Sequence, residues 1–369
     1  MSGRCLVVAG LWLGLWSGVA SDARGQDAQF SIGGLGTPGR PEGVRARSTG
    51  GAFAPFDAAS PHLEAALADV TRLTASAMGT TSHRDLDFGT TQAALRVSRF
   101  PLLLVSGGLR RGWVGSLGFS TYLDRSYRVR ITDTIDLRGQ PEAFTDDLSS
   151  EGAVTDLRVA LARRLTRRLA FGAGLHVLVG STREQVSRNF ANPSYSTSVQ
   201  RTEVFYDGLG GSASLIADPL AGVRAALWAR SDSRLITETD DGETARSDLP
   251  LQAGAALHWQ PRPFSRFAAS VSWAGWSVST SDAFDTVNWS VGAEVGGSSL
   301  PLRLGVRGGR LPFGPGAEAP TELGAAIGTG VRIARGRGAL DLGVEYLERE
   351  GPGLRETVWT VMVGVAIRP

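Results

Sequence analysis

His62, His83, His176 and His258 are the four histidines of this 369-residue chain, and they are its obvious candidates for nucleophilic or acid–base chemistry. Acyl transfer needs a serine beside a histidine that a carboxylate or amide orients. Serines occur throughout the chain, but none stands in a spaced nucleophile motif, so the sequence does not point to an enzyme. Asp240-Asp241-Gly242-Glu243 offers oxygen ligands for calcium without the spacing of a dedicated loop, and it reads better as a hairpin turn. Cys5 is the single cysteine and lies in the leading apolar segment, which excludes disulfides and thiolate metal sites from the rest of the chain. No cofactor and no metal are expected. The formal net charge of +2 gives no reason to expect a nucleic acid, and the 38 basic residues are all arginine.

A second set of residues could bind rather than react. Arg224, Arg303, Arg307, Asp341 and Glu345 fall on one side of an alternating pattern, as do Trp228 and Trp276. The arginines have two readings: they brace the interior through ion pairs, or one of them meets a ligand carboxylate. Inward aromatics suit contact with an apolar solute. The candidate ligand-binding set is therefore Trp228, Trp276, Arg224, Arg303 and Arg307.

That assignment depends on the elements that position these side chains. In the stretch 321–348, Leu323, Ala325, Ile327, Val331 and Ile333 alternate with Gly324, Ala326, Gly328, Gly330 and Arg332. After Arg335-Gly336-Arg337-Gly338, Leu340, Leu342, Val344 and Tyr346 alternate with Asp341, Gly343 and Glu345. A period of two with one unbroken apolar face and one charged face fits a strand between lipid and a wet lumen. It also fits a soluble sheet with one wet face, so the whole chain has to decide. Fourteen such strands are expected, near 70–83, 89–109, 112–135, 147–163, 167–187, 198–216, 222–239, 246–260, 265–279, 283–297, 301–310, 320–334, 338–349 and 355–368. Connections after the even-numbered strands are short, and several after the odd-numbered ones are longer and acidic. Short turns on one rim and long loops on the other are the pattern of an outer-membrane barrel, and an even strand number brings both ends to the short-turn, periplasmic rim. The expected fold class is all-β: a closed transmembrane antiparallel β-barrel, a form that removes the sheet edges a bilayer cannot tolerate.

The rims differ in charge. The short turns carry Arg110, Arg111, Arg163, Arg164, Arg167, Arg168, Arg262, Arg266, Arg335 and Arg337, with Asp218 the main exception; the long loops carry Asp133, Asp136, Asp146, Asp147, Asp240, Asp241, Glu243, Asp282 and Asp285. Arginine is favoured near anionic headgroups, and acidic loops could bridge divalent cations on lipopolysaccharide, although solvated rims need no partner. Trp113, Trp259 and Trp289 are expected to face lipid near the interfaces.

The chain starts with Arg4, an apolar run from Cys5 to Ala20, and small residues at Ala20, Ser21 and Ala23, the pattern of a secretory signal peptide over 1–25. Residues 26–69 lack alternation, contain a Gly/Pro-rich piece and a short helix expected over 61–70, and read as an arm or a plug; the barrel then occupies 70–369.

Four stretches resemble the FadL-type family of outer-membrane transporters for long-chain fatty acids and other hydrophobic compounds. They are Thr49-Gly50-Gly51-Ala52-Phe53 with Asp57-Ala58-Ala59-Ser60, Ser272-Trp273-Ala274-Gly275-Trp276-Ser277, Leu302-Arg303-Leu304-Gly305-Val306-Arg307 with Leu311-Pro312-Phe313, and the hairpin from Gly328 to Tyr346. The resemblance implies a fourteen-stranded barrel with its N-terminal segment folded inside as a hatch, in the outer membrane of a Gram-negative bacterium. It implies passive uptake of a hydrophobic small molecule, captured at the outer loops and released through a kinked wall opening or past the hatch. The implied surroundings are outer-membrane lipid and lipopolysaccharide, with the protein a monomer. The alternative is a barrel of the same kind serving as a structural or secretion partner without solute transport. Two departures stand out: the family's Asn-Pro-Ala hatch motif is not matched at Glu64-Ala65-Ala66 or Ser60-Pro61-His62, and Pro369 replaces the usual terminal aromatic.

Overall fold

The computed structural model describes residues 30, 33–88, 91–297, 300–314 and 316–368. The expected signal segment lies outside them. Fourteen antiparallel strands close into a barrel, each paired with its chain neighbour. They are β1 (Thr74–Phe88), β2 (Thr91–Gly108), β3 (Trp113–Asp124 continued by Tyr127–Leu137), β4 (Gln140–Thr166), β5 (Leu169–Phe190), β6 (Ser198–Leu220) and β7 (Val223–Asp232 continued by Leu235–Thr239). The circuit continues with β8 (Thr244–Ser247 continued by Leu251–Arg262), β9 (Ser265–Ala274), β10 (Thr286–Val295), β11 (Leu302–Arg310), β12 (Thr321–Ile333), β13 (Gly338–Gly351) and β14 (Leu354–Ile367). Closure is made by β14 on β1, from Ile367 opposite Ala75 to Arg355 opposite Asp87.

Alternation sets the two faces. Along β14, Glu356, Val358, Thr360 and Met362 are buried inside, whereas Trp359, Val361, Val363 and Val365 are exposed outside. The same outward apolar band runs through Leu257 and Trp259, Val287, Trp289 and Val291, and Leu302, Leu304 and Val306. Soluble monomers seldom expose apolar patches beyond a few hundred Å². A continuous apolar belt around a closed sheet is at home in lipid, where every backbone group must find its partner within the protein.

Several expected boundaries move. The strand expected over 265–279 ends at Ala274, and Trp276–Val278 forms a turn of 3-10 helix instead. The helix expected over 61–70 is a 3-10 segment, Glu64–Asp69. The long connection expected between the strands near 112–135 and 147–163 is a projecting hairpin, with β3 paired to β4 as far as Leu137 opposite Gln140. Threonines, isoleucine and paired charges alternate there, and these favour a strand over an open loop.

The segment 33–69 is tied to opposite parts of the barrel. Its one turn of α-helix, Val44–Arg47, sits against β12, β13 and β14, while Glu64–Asp69 sits against β4, β5 and β6. Inward glycines make room for it. A Cβ on Gly305 would stand 2.0 Å from the carbonyl carbon of Thr49, and one on Gly292 would stand 2.4 Å from the Thr49 oxygen. The glycines of the alternating pattern are thus sites of close backbone approach.

The β2–β3 seam is incomplete. β3 pairs with β2 only from Val114 to Ser120, opposite Gly108 to Leu102. Beyond that point β2 keeps β1 on one side, and β3 keeps β4 on the other. The β1–β2 register slips at Phe100 and Pro101, where proline cannot donate to a ladder. The β3–β4 register slips between Thr121 and Leu123.

Candidate functional site

Two neighbouring spaces lie between the N-terminal segment and the wall. The larger, about 250 Å³, is lined by Trp228, Trp276, Tyr122, His62, Arg230 and Arg307 among others. The smaller, about 100 Å³, lies behind the open seam and is lined by Val97, Arg99, Pro101 and Asp124. Pro38, Gly39, Arg40 and Thr121 line both. On the loop side an apolar cluster that includes Leu178, Leu235, Leu249, Tyr206 and Phe313 reaches the larger space through Trp276. The Trp276 and Phe313 rings meet edge to face at 5.5 Å. Trp228 meets His62 edge to face at 5.1 Å, and burial holds the His62 pKa below the usual range, so it presents a neutral ring.

The structure brings together three of the five candidate residues. Trp228, Trp276 and Arg307 line the same space. Trp276 reaches it from a turn beyond β9 rather than from the strand, a placement that alternation could not foresee. Arg224 and Arg303 lie elsewhere. Arg224 is bound to Asp69 at 2.8 Å and to Asp218 at 3.1 Å, with Arg164 completing the group. Arg303 is bound to Glu294 at 3.0 Å and Asp341 at 2.5 Å, beside a separate space of about 230 Å³ at the short-turn end. Both are engaged by carboxylates, as is Arg307, whose Nη2 lies 2.6 Å from Glu322, so what separates them is the space they line and not the pairing.

Glu64 is the side chain that alternation could not flag. It projects from the N-terminal segment into the wall, 2 % exposed, where Arg158 of β4 and the hydroxyls of Ser212 and Ser214 of β6 donate to it. The Ala65 amide donates to Ser214 Oγ at 2.9 Å, and Arg158 also donates to the Pro61 carbonyl. Burial by itself would raise the Glu64 pKa; Arg158 and the two hydroxyls outweigh it and hold the carboxyl below its ordinary range. A second anchor joins Arg45 to Glu294 at 2.9 Å, and a third joins Arg40 and Arg47 to Glu345.

Behind Glu64 the distances match those of a serine hydrolase. His176 Nδ1 lies 2.9 Å from Asp156, and Nε2 lies 2.7 Å from Ser212 Oγ. The surroundings rule against that chemistry. Ser212 Oγ is 2.6 Å from Glu64, an ionised acceptor that competes for the only hydroxyl proton and would oppose charge developing on an oxyanion. Ser212 also sits mid-strand, paired with Gly174 on one side and Arg230 on the other, so its ladders leave no amide free as an oxyanion donor. His176 and Ser212 connect Asp156 to Glu64 and steady the docked segment.

At the open seam, Arg99 pairs with Asp124 across the gap, and Arg84 stands 3.8 Å from the same carboxylate. Thr37–Pro38 adds a two-residue bridge to the free edge of β3 at Asp124 and Leu123. Phe100, 81 % exposed, stands on the outer face beside it.

These features define a plugged fourteen-stranded barrel with an incomplete seam in its wall, the fold of the FadL-type outer-membrane channels. The chain is similar to the structure of a Pseudomonas aeruginosa FadL homologue, with 12 % identity over 90 % of this chain and 100 % of the other at a TM-score of 0.64. It is similar to the Pseudomonas putida toluene transporter TodX, with 13 % identity over 90 % and 99 % at 0.63, and to the monoaromatic hydrocarbon channel CymD, with 11 % identity over 91 % and 98 % at 0.59. No family model and no curated protein matches the sequence.

Proposed function

We propose that this chain is an outer-membrane channel for the passive uptake of hydrophobic compounds, of the class of monoaromatic hydrocarbons or long-chain fatty acids, with residues 33–69 as its hatch. The observation that carries the reading is the incomplete β2–β3 seam, with a small space behind it that shares Pro38, Gly39, Arg40 and Thr121 with the larger lumenal one. A solute would enter through the apolar cluster at the loops, lodge between Trp228 and Trp276, and leave sideways past Arg99 and Asp124. Sideways exit follows from solvation: an apolar solute gains by passing directly into lipid and would lose by crossing a water-filled pore. The neighbours' stated cargoes, toluene and monoaromatic hydrocarbons, support the class.

The test is binding of toluene and of a long-chain fatty acid to the purified protein, followed by tryptophan fluorescence or calorimetry. Saturable binding that weakens by about tenfold or more in Trp228→Ala or Trp276→Ala is expected, since losing one buried aromatic contact costs roughly 1.5–3 kcal/mol. Absence of binding by either probe, together with recovery of a stable complex with another envelope protein, would replace transport with a structural or secretion role.

A further inference from the structure

The short-turn rim carries arginines that the barrel does not use. Arg110 and Arg111 follow β2, Arg167 and Arg168 follow β4, and Arg262 ends β8; all five are exposed and none has an ion-pair partner. Arg335 and Arg337 between β12 and β13, and Arg72 before β1, are likewise exposed and unpaired. Of the carboxylates at this end, Asp69 and Asp218 are taken up by Arg164 and Arg224, Glu294 and Asp341 by Arg303, with Arg266 also on Glu294, and Asp57 lies 4.0 Å from Arg45. Among the described residues no carboxylate at this end is left to neutralise the ring.

The ring has a second character. Beside these guanidinium groups stand apolar side chains that point away from the barrel: Leu73, Leu109, Leu165, Phe264 and Ile333, each about half exposed or more. Arg163 lies over the Trp113 ring at 5.7 Å to its centroid. A patch on one side would suit a folded protein partner. A set of charges at four of the six short turns, each with an exposed apolar side chain (Leu109, Leu165, Phe264 or Ile333) in the same turn, matches the boundary where headgroups meet acyl chains. The other rim differs, with its hairpin tips carrying Asp133, Asp136, Asp240, Asp241 and Glu243.

We propose that the arginine ring binds the phosphodiester headgroups of anionic phospholipids in the leaflet at the short-turn end. The site is distinct from the solute path and rests only on the reading of the chain as a bilayer-spanning barrel. The guanidinium groups supply forked donors that match phosphate oxygens, and the neighbouring leucines and Phe264 seat the ring at the depth where those oxygens lie. The lipid would also neutralise a concentration of like charge that the protein leaves uncompensated.

The experiment counts lipids retained by the full chain from mixed detergent micelles containing equal amounts of phosphatidylglycerol and phosphatidylcholine with the same acyl chains, read by native mass spectrometry. Phosphatidylglycerol should be retained several-fold over phosphatidylcholine, and the preference should collapse near ~1 M salt, where charges are screened within ~3 Å. The combined variant Arg110→Gln, Arg111→Gln, Arg335→Gln and Arg337→Gln removes only unpaired exposed groups; it should fold, as read by circular dichroism, and lose most of the preference. The matching variant at the loop end, Arg128→Gln, Arg138→Gln and Arg246→Gln, should keep it. Equal retention of the two lipids would overturn the proposal, as would a preference that survives the rim variant. Displacement of phosphatidylglycerol by millimolar inorganic phosphate would also overturn it, by showing a site for free phosphate rather than for a headgroup. Solute binding is measured separately, so failure here leaves the transport reading standing, and failure of transport leaves this result interpretable.

Discussion

Replacing Glu64 by alanine tests how the hatch is held. Glu64 is buried and accepts from Arg158, Ser212 and Ser214, and the adjoining Ala65 amide donates to Ser214 Oγ. Glu64→Ala removes the partner of Arg158, itself only 5 % exposed in its side chain, and leaves that guanidinium in a site built for a pair. Breaking one half of a buried ion pair costs roughly 3–5 kcal/mol. The lower figure alone multiplies the undocked population of this part of the hatch about a hundredfold. The loss is local, because Arg45 still holds Glu294, and Arg40 and Arg47 still hold Glu345. Hydrogen exchange is the assay: protection of the Ala65 amide should fall by about two orders of magnitude, while the Arg47 and Ser48 amides, bonded to Gly43 and Val44, keep theirs. The double variant Glu64→Met with Arg158→Met removes both charges and should recover much of the protection. Unchanged exchange at Ala65 in the single variant would show that packing of the segment, and not this carboxylate, holds it in place, and the docking argument would fail.

Acid should mimic that variant. The Glu64 pKa is depressed below its ordinary 4.5, so its contribution to docking is complete above that value and is lost as pH falls through the lowered one; Ala65 exchange, corrected for its intrinsic pH dependence, should show the loss in wild type and not in Glu64→Ala. Gly305→Ala should displace the turn at Thr49 and Gly50, because the added Cβ meets backbone at 2.0 Å; limited proteolysis within 44–56 should become faster while β11 remains paired, and unaltered proteolysis would count against the close fit. Arg99→Gln removes the charge facing Asp124 at the seam, leaving Arg84 as the remaining cation nearby, and should speed release of a bound hydrocarbon from the protein into liposomes; an unchanged release rate would place the exit elsewhere.

The strand count, the alternation and the unequal rims were legible in the sequence because a period of two reflects a local constraint: successive side chains face opposite sides whatever the chain does later. The apolar half of each pattern, such as Trp359, Val361, Val363 and Val365, therefore announced the lipid face directly. The inward half was legible only as polar or small. Gly292 and Gly305 carried no sign of what they admit, since close approach depends on Thr49, which is some 240 or more residues away in the chain. For the same reason Arg224, Arg303 and Arg307 looked equivalent: all three are paired with carboxylates contributed from other elements, but only Arg307, held by Glu322 at 2.6 Å, lines the larger space.

Tertiary structure alone decided three things. It set Glu64 against Arg158, put Trp276 on a 3-10 turn beyond the end of β9, and parted β2 from β3 above Leu102. Each depends on distant segments competing for the same interior or the same edge. A residue-by-residue pattern records which face a side chain prefers; which neighbour it meets there is settled only when the barrel closes around the segment it encloses.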